Sequence, residues 1–295
     1  MNNQKPTVLI TGATGQIGGE TLRLLQANNA ITLVAAVRSP AKAQFFEAQG
    51  MRTVILDFDK EETLAPALEG IDRAFLMTGY SVDMLRQSKA FIDHAKRSGV
   101  QHIVHLGACG RDDTTVAHWA WHQFVERYIE WSGFSFTHLR PENFMQNLLS
   151  YDGTQAVTQG IIRQYTGDAP ISWVDGDDIA LVAAQTLLHP DKHVGKTYRL
   201  GYDAKSYGDV AAVMSEVLGQ PFRYQALAPE VFLETMRAAG AEMAYMHCVG
   251  DSFKRIAPRA VPGVADTFDN FFDITGRQPM RWEQFVTKHR TAFAY

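Results

Sequence analysis

A chain of 295 residues, 46% hydrophobic and 20% charged, is long enough to bury one or two cores. Its net charge of -4 and pI near 6.2 exclude a surface built for a phosphate backbone, so nucleic acid is not an expected partner. Two cysteines, Cys109 and Cys248, provide neither a disulfide framework nor metal-site spacing, and no metal is expected. The polar start Met1–Pro6 does not read as a signal peptide, and no uninterrupted apolar segment is as long as a membrane span. A cytoplasmic chain with reduced thiols and no membrane contact is the expectation.

The first strand, Thr7–Thr11, runs into Gly12-Ala13-Thr14-Gly15-Gln16-Ile17-Gly18 and a helix over Gly18–Gln26. G-x-x-G-x-x-G between a strand and a helix is a phosphate-binding pattern. Gly12 turns sharply, Gly15 leaves room for a pyrophosphate, and Gly18 lets helix and strand approach. The helix start then offers unpaired N–H groups to the anion, which places Thr14, Gln16 and Ile17 at the ligand. The second strand, Ile31–Val37, ends at Arg38, with Lys42 close behind and no acid nearby, ahead of a helix over Ala41–Gln49. A carboxylate at that point holds the ribose hydroxyls of NAD, whereas a cation suits the 2′-phosphate of NADP. NADP(H) is therefore expected over NAD(H), with a merely solvated arginine as the alternative.

The third strand, Thr53–Leu56, is followed by Asp57-Phe58-Asp59, where a carboxylate suits the adenine amino group and Phe58 the ring face; Asp59 serves equally as a helix cap. The fourth strand, Ala74–Thr78, ends in Thr78-Gly79-Tyr80 beneath the expected ribose, ahead of a helix over Val82–Ser98. The fifth, His102–Leu106, ends in Gly107-Ala108-Cys109, small residues where a flat nicotinamide must fit. A sixth covers Phe134–Leu139. Apolar strands alternating with helices imply an α/β fold, a Rossmann doubly wound parallel sheet.

After about Ser150 the rhythm changes. Gly153–Gly160 is polar, Ile161–Val174 reads as extended, and Asp178–Leu188 as a helix ended by His189-Pro190. Helices follow over Tyr207–Leu218, Pro229–Ala239 and Ala241–Ile256, and the aromatic segments Val264–Thr275 and Trp282–Phe293 are amphipathic. The division expected is an NADP-binding domain over 1–152 and a smaller α/β substrate lobe over 153–295, some of whose strands return to the main sheet. Ligands of such sheets bind at the carboxyl ends of the strands.

On the opening glycine motif, Arg38, the segment Leu139-Arg140-Pro141-Glu142-Asn143-Phe144-Met145-Gln146-Asn147, the segment Trp173–Ala180 and the tail from Thr267-Phe268 through Phe285, the chain resembles the NmrA-like branch of atypical short-chain dehydrogenase/reductases. The resemblance spans nearly the whole chain. It implies NADPH-dependent reduction of quinones, azo dyes or triphenylmethane dyes, or a non-catalytic sensor of the nicotinamide pool acting through a regulatory partner. It also implies Pro141, Asn143 and Phe144 at the cofactor, with Asn143 on the carboxamide.

Ordinary members of that superfamily use a serine and a Tyr-x-x-x-Lys pair for carbonyl chemistry. Here Gly107 and Ala108 stand where the serine belongs, and His118 and His122 replace tyrosine and lysine. Four residues apart, the two histidines share one helix face, with Glu126 one turn on. Three readings stay open: His122 against the ribose with His118 as proton donor, half of a metal site, or polar neighbours of the pocket wall. An electron-poor acceptor takes hydride first and needs only a weak proton source, so orientation in a dry pocket suffices. Tyr80, Trp119, Phe144 and Trp173 are the residues expected to line that pocket for a small aromatic substrate. A homodimer is left open.

Overall fold

A computed structural model describes residues 5–149 and 156–295. Residues 1–4, the expected domain boundary at 152/153 and the first part of the polar stretch 153–160 lie outside the described residues. Strands β1 (Thr7–Ile10), β2 (Thr32–Val37), β3 (Arg52–Ile55), β4 (Arg73–Leu76), β5 (His102–Leu106) and β6 (Ser135–Pro141) alternate with helices α1 (Gln16–Gln26), α2 (Pro40–Glu47), α3 (Leu64–Leu68), α4 (Met84–Arg97) and α5 (Ala117–Trp131). The strands stand in the order β3-β2-β1-β4-β5-β6, every pair parallel. Winding reverses between β1 and β4, and the crevice opens at their carboxyl ends.

All four residues of β1 and all five of β5 are buried, as befits strands covered on both faces. Successive side chains alternate between two cores. Ile10, Val104 and Leu139 pack with Leu22 and Leu25 of α1, while Leu9, Ile103 and Val34 pack with Phe91 of α4 and Val125 and Ile129 of α5. Each such fully buried side chain contributes about 1.5–3 kcal/mol.

The second half begins with β7 (Asn143–Phe144), β8 (Val157–Thr158), β9 (Ile161–Gln164) and β10 (Ile171–Val174), then α6 (Gly176–Leu188), α7 (Pro190–His193), β11 (Lys196–Leu200) and β12 (Asp203–Lys205). It ends with α8 (Tyr207–Leu218), β13 (Arg223–Ala226), α9 (Phe232–Ala238), α10 (Met243–Ile256), α11 (Asn270–Thr275) and α12 (Trp282–Lys288). Strand β11 returns to the main sheet beside β6 and makes it seven-stranded. Helix α6 packs against α1 on the same face; Asp175 caps it by accepting the Asp177 N–H at 3.2 Å. Two three-stranded sheets, β12-β10-β7 and β13-β9-β8, form the smaller lobe.

The extended reading of Ile161–Val174 is corrected: a turn through Gly167, with φ at +59°, separates β9 from β10. The segment Val264–Thr275 is helical only over its last six residues, and the helix expected from Pro229 starts with a 3-10 turn over Pro229–Val231. Both cysteines are free. No helix among the described residues is long and apolar enough to cross a membrane.

Candidate functional site: a dinucleotide cleft joined to an aromatic cavity

The crevice between β1 and β4 is built from the glycine turn. Gly12 holds φ at +62°, in the left-handed region, and its carbonyl accepts the Gly15 N–H at 2.9 Å. A Cβ on Gly18 would stand 2.3 Å from that same carbonyl oxygen, so only glycine allows α1 to pack this close to β1. Helix α1 starts from Gly15 without any side-chain cap, leaving its first-turn N–H groups to an anion. A cleft of about 530 Å³ runs from here across the strand ends.

Thirteen of the cofactor residues expected from the sequence line this cleft: Gly12, Thr14, Gly15, Gln16, Ile17, Arg38, Phe58, Thr78, Gly79, Tyr80, Gly107, His122 and Phe144. Among the described residues no Asp or Glu lines it. Arg38 is exposed at the end of β2 and has no ion-pair partner among the described residues. Of the other six, Ala108, Pro141 and Asn143 line an adjoining cavity, and two reach neither space. Lys42 faces solvent because Ala43 and Phe46 take the buried face of α2. The Asp57 carboxylate closes its own turn, accepting the Asp59 N–H at 3.1 Å, with Lys60 at 3.9 Å. Gly18 lies behind the cleft wall, where its packing role places it.

At the β5 end the cleft adjoins a second cavity of about 340 Å³, under α9 and α10 of the smaller lobe. Tyr80, Gly107, His122, Phe144, Asn147 and Tyr245 line both spaces, so the two adjoin across these residues. The second cavity also holds Ala108, Pro141, Asn143, His118 and Trp119, with Tyr165, Phe232, Met236 and Phe253 as its aromatic and apolar roof. Its walls suit a flat aromatic ligand. The Asn143 amide donates to the Ser172 carbonyl at 3.4 Å, which ties β7 to β10.

Trp173 does not reach either space. β10 turns its ring into the lobe's core, fully buried, edge-on to Tyr207 and Trp282, with its indole N–H donated to the Lys205 carbonyl at 2.9 Å. The placement of Trp173 at the substrate is corrected accordingly.

His118 and His122 face the cavity from α5. Burial pushes the His118 imidazole down to about 4, and burial, then the neighbouring His118, push His122 down to about 3. Both are neutral at physiological pH. Behind them, Glu126 is fully buried and holds Arg140 through two hydrogen bonds, 2.9 and 2.6 Å. Glu142 lines the second cavity; burial pushes its carboxyl up to about 7, although Arg199 lies 2.7 Å away.

Several contributors escape sequence reading. Tyr245, on α10, reaches both cavities from 138 positions beyond Gly107, and nothing in its local pattern marks it. Gln146 and Asn147 lie within the segment that carried the resemblance. The Gln146 amide donates to Asp175 and its carbonyl accepts the Gly176 N–H at 3.0 Å, fixing the start of α6 against the cleft. His105 and His138 escaped because they are spaced as ordinary strand residues.

A doubly wound parallel sheet whose switch-point crevice ends on an uncapped, glycine-cradled helix start defines a Rossmann dinucleotide-binding protein. More narrowly, the chain belongs to the NmrA-like family, whose pattern it matches over residues 4–286. It is 34% identical over 289 residues to an NAD(P)H azoreductase of Xenophilus azovorans, covering 97% of this chain and 99% of that protein. It is similar to an NADPH-dependent quinone oxidoreductase of Escherichia coli solved with NADPH, at a TM-score of 0.82 and 27% identity over 95% of this chain and 99% of the other. A Citrobacter sp. triphenylmethane reductase solved with NADP(H) shares the fold, with a TM-score of 0.82 at 24% identity, covering 95% of this chain and 99% of that one.

Proposed function

We propose that this chain is an NADPH-dependent reductase that delivers hydride to an electron-poor aromatic acceptor such as a quinone, an azo compound or a cationic dye. The observation that carries this is an aromatic-walled cavity that adjoins the cofactor cleft across Gly107, His122 and Phe144. The alternative, a sensor without turnover, is better served by a site with no room for an acceptor; the open cavity supports turnover. The azoreductase and quinone reductase relatives support the same reading.

Within this reading the Gly12–Gly18 turn and the α1 start seat the pyrophosphate, Arg38 takes the 2′-phosphate, and Phe58 lies along the adenine. Gly107 lines the cleft where the nicotinamide lies. NADPH bound there supplies the hydride. Phe144, Trp119 and Tyr245 hold the acceptor flat and exclude water, an orientation effect worth several kcal/mol. His122, neutral, donates a proton at the wall as its Nδ1 takes one from His105, and the neutral His118 stands beside it.

The test is NADPH oxidation by the purified protein against a panel of quinones, azo dyes and triphenylmethane dyes. Turnover of at least one class is expected; background rates across the panel would refute the reading.

A further inference from the structure

The face of α5 that begins with His118 and His122 continues at four-residue spacing with Glu126 and Glu130. It lies along β5 and β6, where His105 and His138 are direct register partners on neighbouring strands, both pointing toward α5. His122 Nδ1 stands 3.4 Å from His105 Nε2. One nitrogen of His105 and one of His138 lie within 4.8 Å of each other. His138 Nε2 is 3.3 Å from Glu130 Oε1, and the Glu130 side chain is 21% exposed. Buried nitrogens with no hydrogen-bond partner are rare and costly; His105 Nδ1 and both nitrogens of His138 are such atoms.

We propose that Glu130, His138, His105 and His122 form a proton relay about 12 Å long, set by eight residues of helix rise, from solvent to the acceptor cavity. This rests on the reductase reading. For a quinone or azo acceptor, the C–H bond of the dihydronicotinamide breaks and its hydride, with both electrons, goes to the acceptor. His122 Nε2 gives up its proton to the reduced acceptor while Nδ1 receives one from His105 Nε2. Ring rotations that bring the unpartnered nitrogens of His138 onto His105 Nδ1 and Glu130 refill His105 from His138, and His138 from Glu130, which draws the net proton from water. Each link breaks one bond to hydrogen and forms another, so every ring ends neutral, the cofactor oxidised and the acceptor reduced.

The charged surroundings favour neutral carriers over stored charge. Arg140 and Arg127, with His102, face His138; Arg140, His122 and His138 face His105; His118 faces His122. Arg127, Glu126, Arg140 and Asp112 surround Glu130, and burial raises its carboxyl above the usual range, toward a form able to donate. A metal ion held by His105, Glu126 and His138 is the competing use of this cluster. Arg140 already bonds both oxygens of Glu126 and puts a positive charge where the cation would sit.

Two substitutions test the relay, Glu130→Gln at its solvent end and His138→Phe in its middle. A cationic triphenylmethane dye is neutralised by hydride alone, whereas a quinone also needs the proton. Both variants should slow quinone turnover roughly tenfold or more and leave cationic-dye turnover nearly unchanged. Imidazole nitrogen NMR of the cofactor-free protein supplies the second readout: Glu130→Gln should shift His138, His105 and His122 together. Equal losses on both acceptors, no loss on quinone, or a shift confined to His138 would overturn the relay. Should the unaltered protein oxidise NADPH with neither acceptor, the reductase reading fails and the relay with it; failure of the relay alone leaves dye and quinone turnover in the unaltered protein.

Discussion

On the proposed NADPH reading, Arg38→Ala removes the partner of the 2′-phosphate and leaves the pyrophosphate seat intact. The guanidinium stands exposed at the end of β2, and no carboxylate lines the cleft to compete for it. The nearby acid, Asp59, is already taken by Arg86 at 3.0 Å and Gln87 at 2.9 Å. Two charge-assisted hydrogen bonds to a 2′-phosphate are worth about 1.5–3 kcal/mol apiece when shielded. Exposure to solvent reduces the pair to roughly 1.5–3 kcal/mol in total, or about 10- to 100-fold in Kd. NADH, with no phosphate there, should lose almost nothing.

Fluorescence titration with both dinucleotides reads this directly, and NADH binding by the variant doubles as the control for folding. Raising ionic strength shortens the screening length from about 10 Å at 0.1 M to about 3 Å at 1 M, so the NADPH advantage of the unaltered protein should shrink with salt. Arg38→Lys keeps the charge but not the fork and should fall between the two. If Arg38→Ala weakens both dinucleotides alike, the 2′-phosphate assignment is wrong.

Gly18→Ala would drive a methyl group to 2.3 Å from the Gly12 carbonyl oxygen, well inside contact distance. Calorimetry should show a stability loss of at least 1–3 kcal/mol, and titration a weakened cofactor affinity, because the turn must open; a variant with unaltered affinity would disprove the cradle. Trp173→Phe should cost about 1–3 kcal/mol in a denaturant titration through its lost hydrogen bond and volume, while the acceptor KM stays put; a raised KM would return Trp173 to the cavity wall. Acid should destabilise the fold. Burial holds His105 well below the ordinary imidazole range, His102 and His118 at about 4, and His122 and His138 at about 3. Below about pH 6.5 the unfolded chain therefore gains protons that the folded one refuses. Glu142 and Asp178, pushed up to about 7, act oppositely: their stabilisation is present at low pH and lost as pH rises through 7. Five histidines outweigh two carboxyls, so stability should drop by about 1 kcal/mol or more per pH unit from 6.5 to 5; denaturation midpoints that stay flat over that range would contradict it.

The doubly wound half is legible because each of its strands is a short apolar run and its phosphate turn is a local pattern; His102–Leu106 and Tyr207–Leu218 match the structure to the residue. What stays hidden is long-range. Tyr245 joins the site only because α10 crosses over the strand ends, and although a returning strand is expected, nothing local marks Lys196–Leu200 as the one that pairs with β6. Trp173 misled because β10 is buried on both faces, so strand position alone does not say toward which core a large ring turns. Lys42 misled in the same way: proximity in sequence to Arg38 says nothing about helix phase, which Ala43 and Phe46 set. Arg140 and Glu126 were each visible, yet their pairing depends on β6 lying beneath α5.

The wall of neutral imidazoles also limits the acceptor. Reduction of an aliphatic ketone builds negative charge on one oxygen, and a site that catalyses it aims a strong donor or a cation at that atom. Among the groups lining the cavity, His118 and His122 are held uncharged by burial and Glu142 is turned to Arg199; the buried guanidiniums Arg140 and Arg199 are engaged by Glu126 and Glu142. Losing one oxyanion donor costs on the order of 10²–10³ in rate. A quinone or azo acceptor spreads the same charge over a ring that the aromatic walls can stack upon, so it escapes most of that penalty. With matched concentrations of NADPH, simple ketones should therefore turn over at least about a hundredfold more slowly than quinones. Comparable rates for the two would mean that a donor stronger than a neutral imidazole reaches the reacting oxygen.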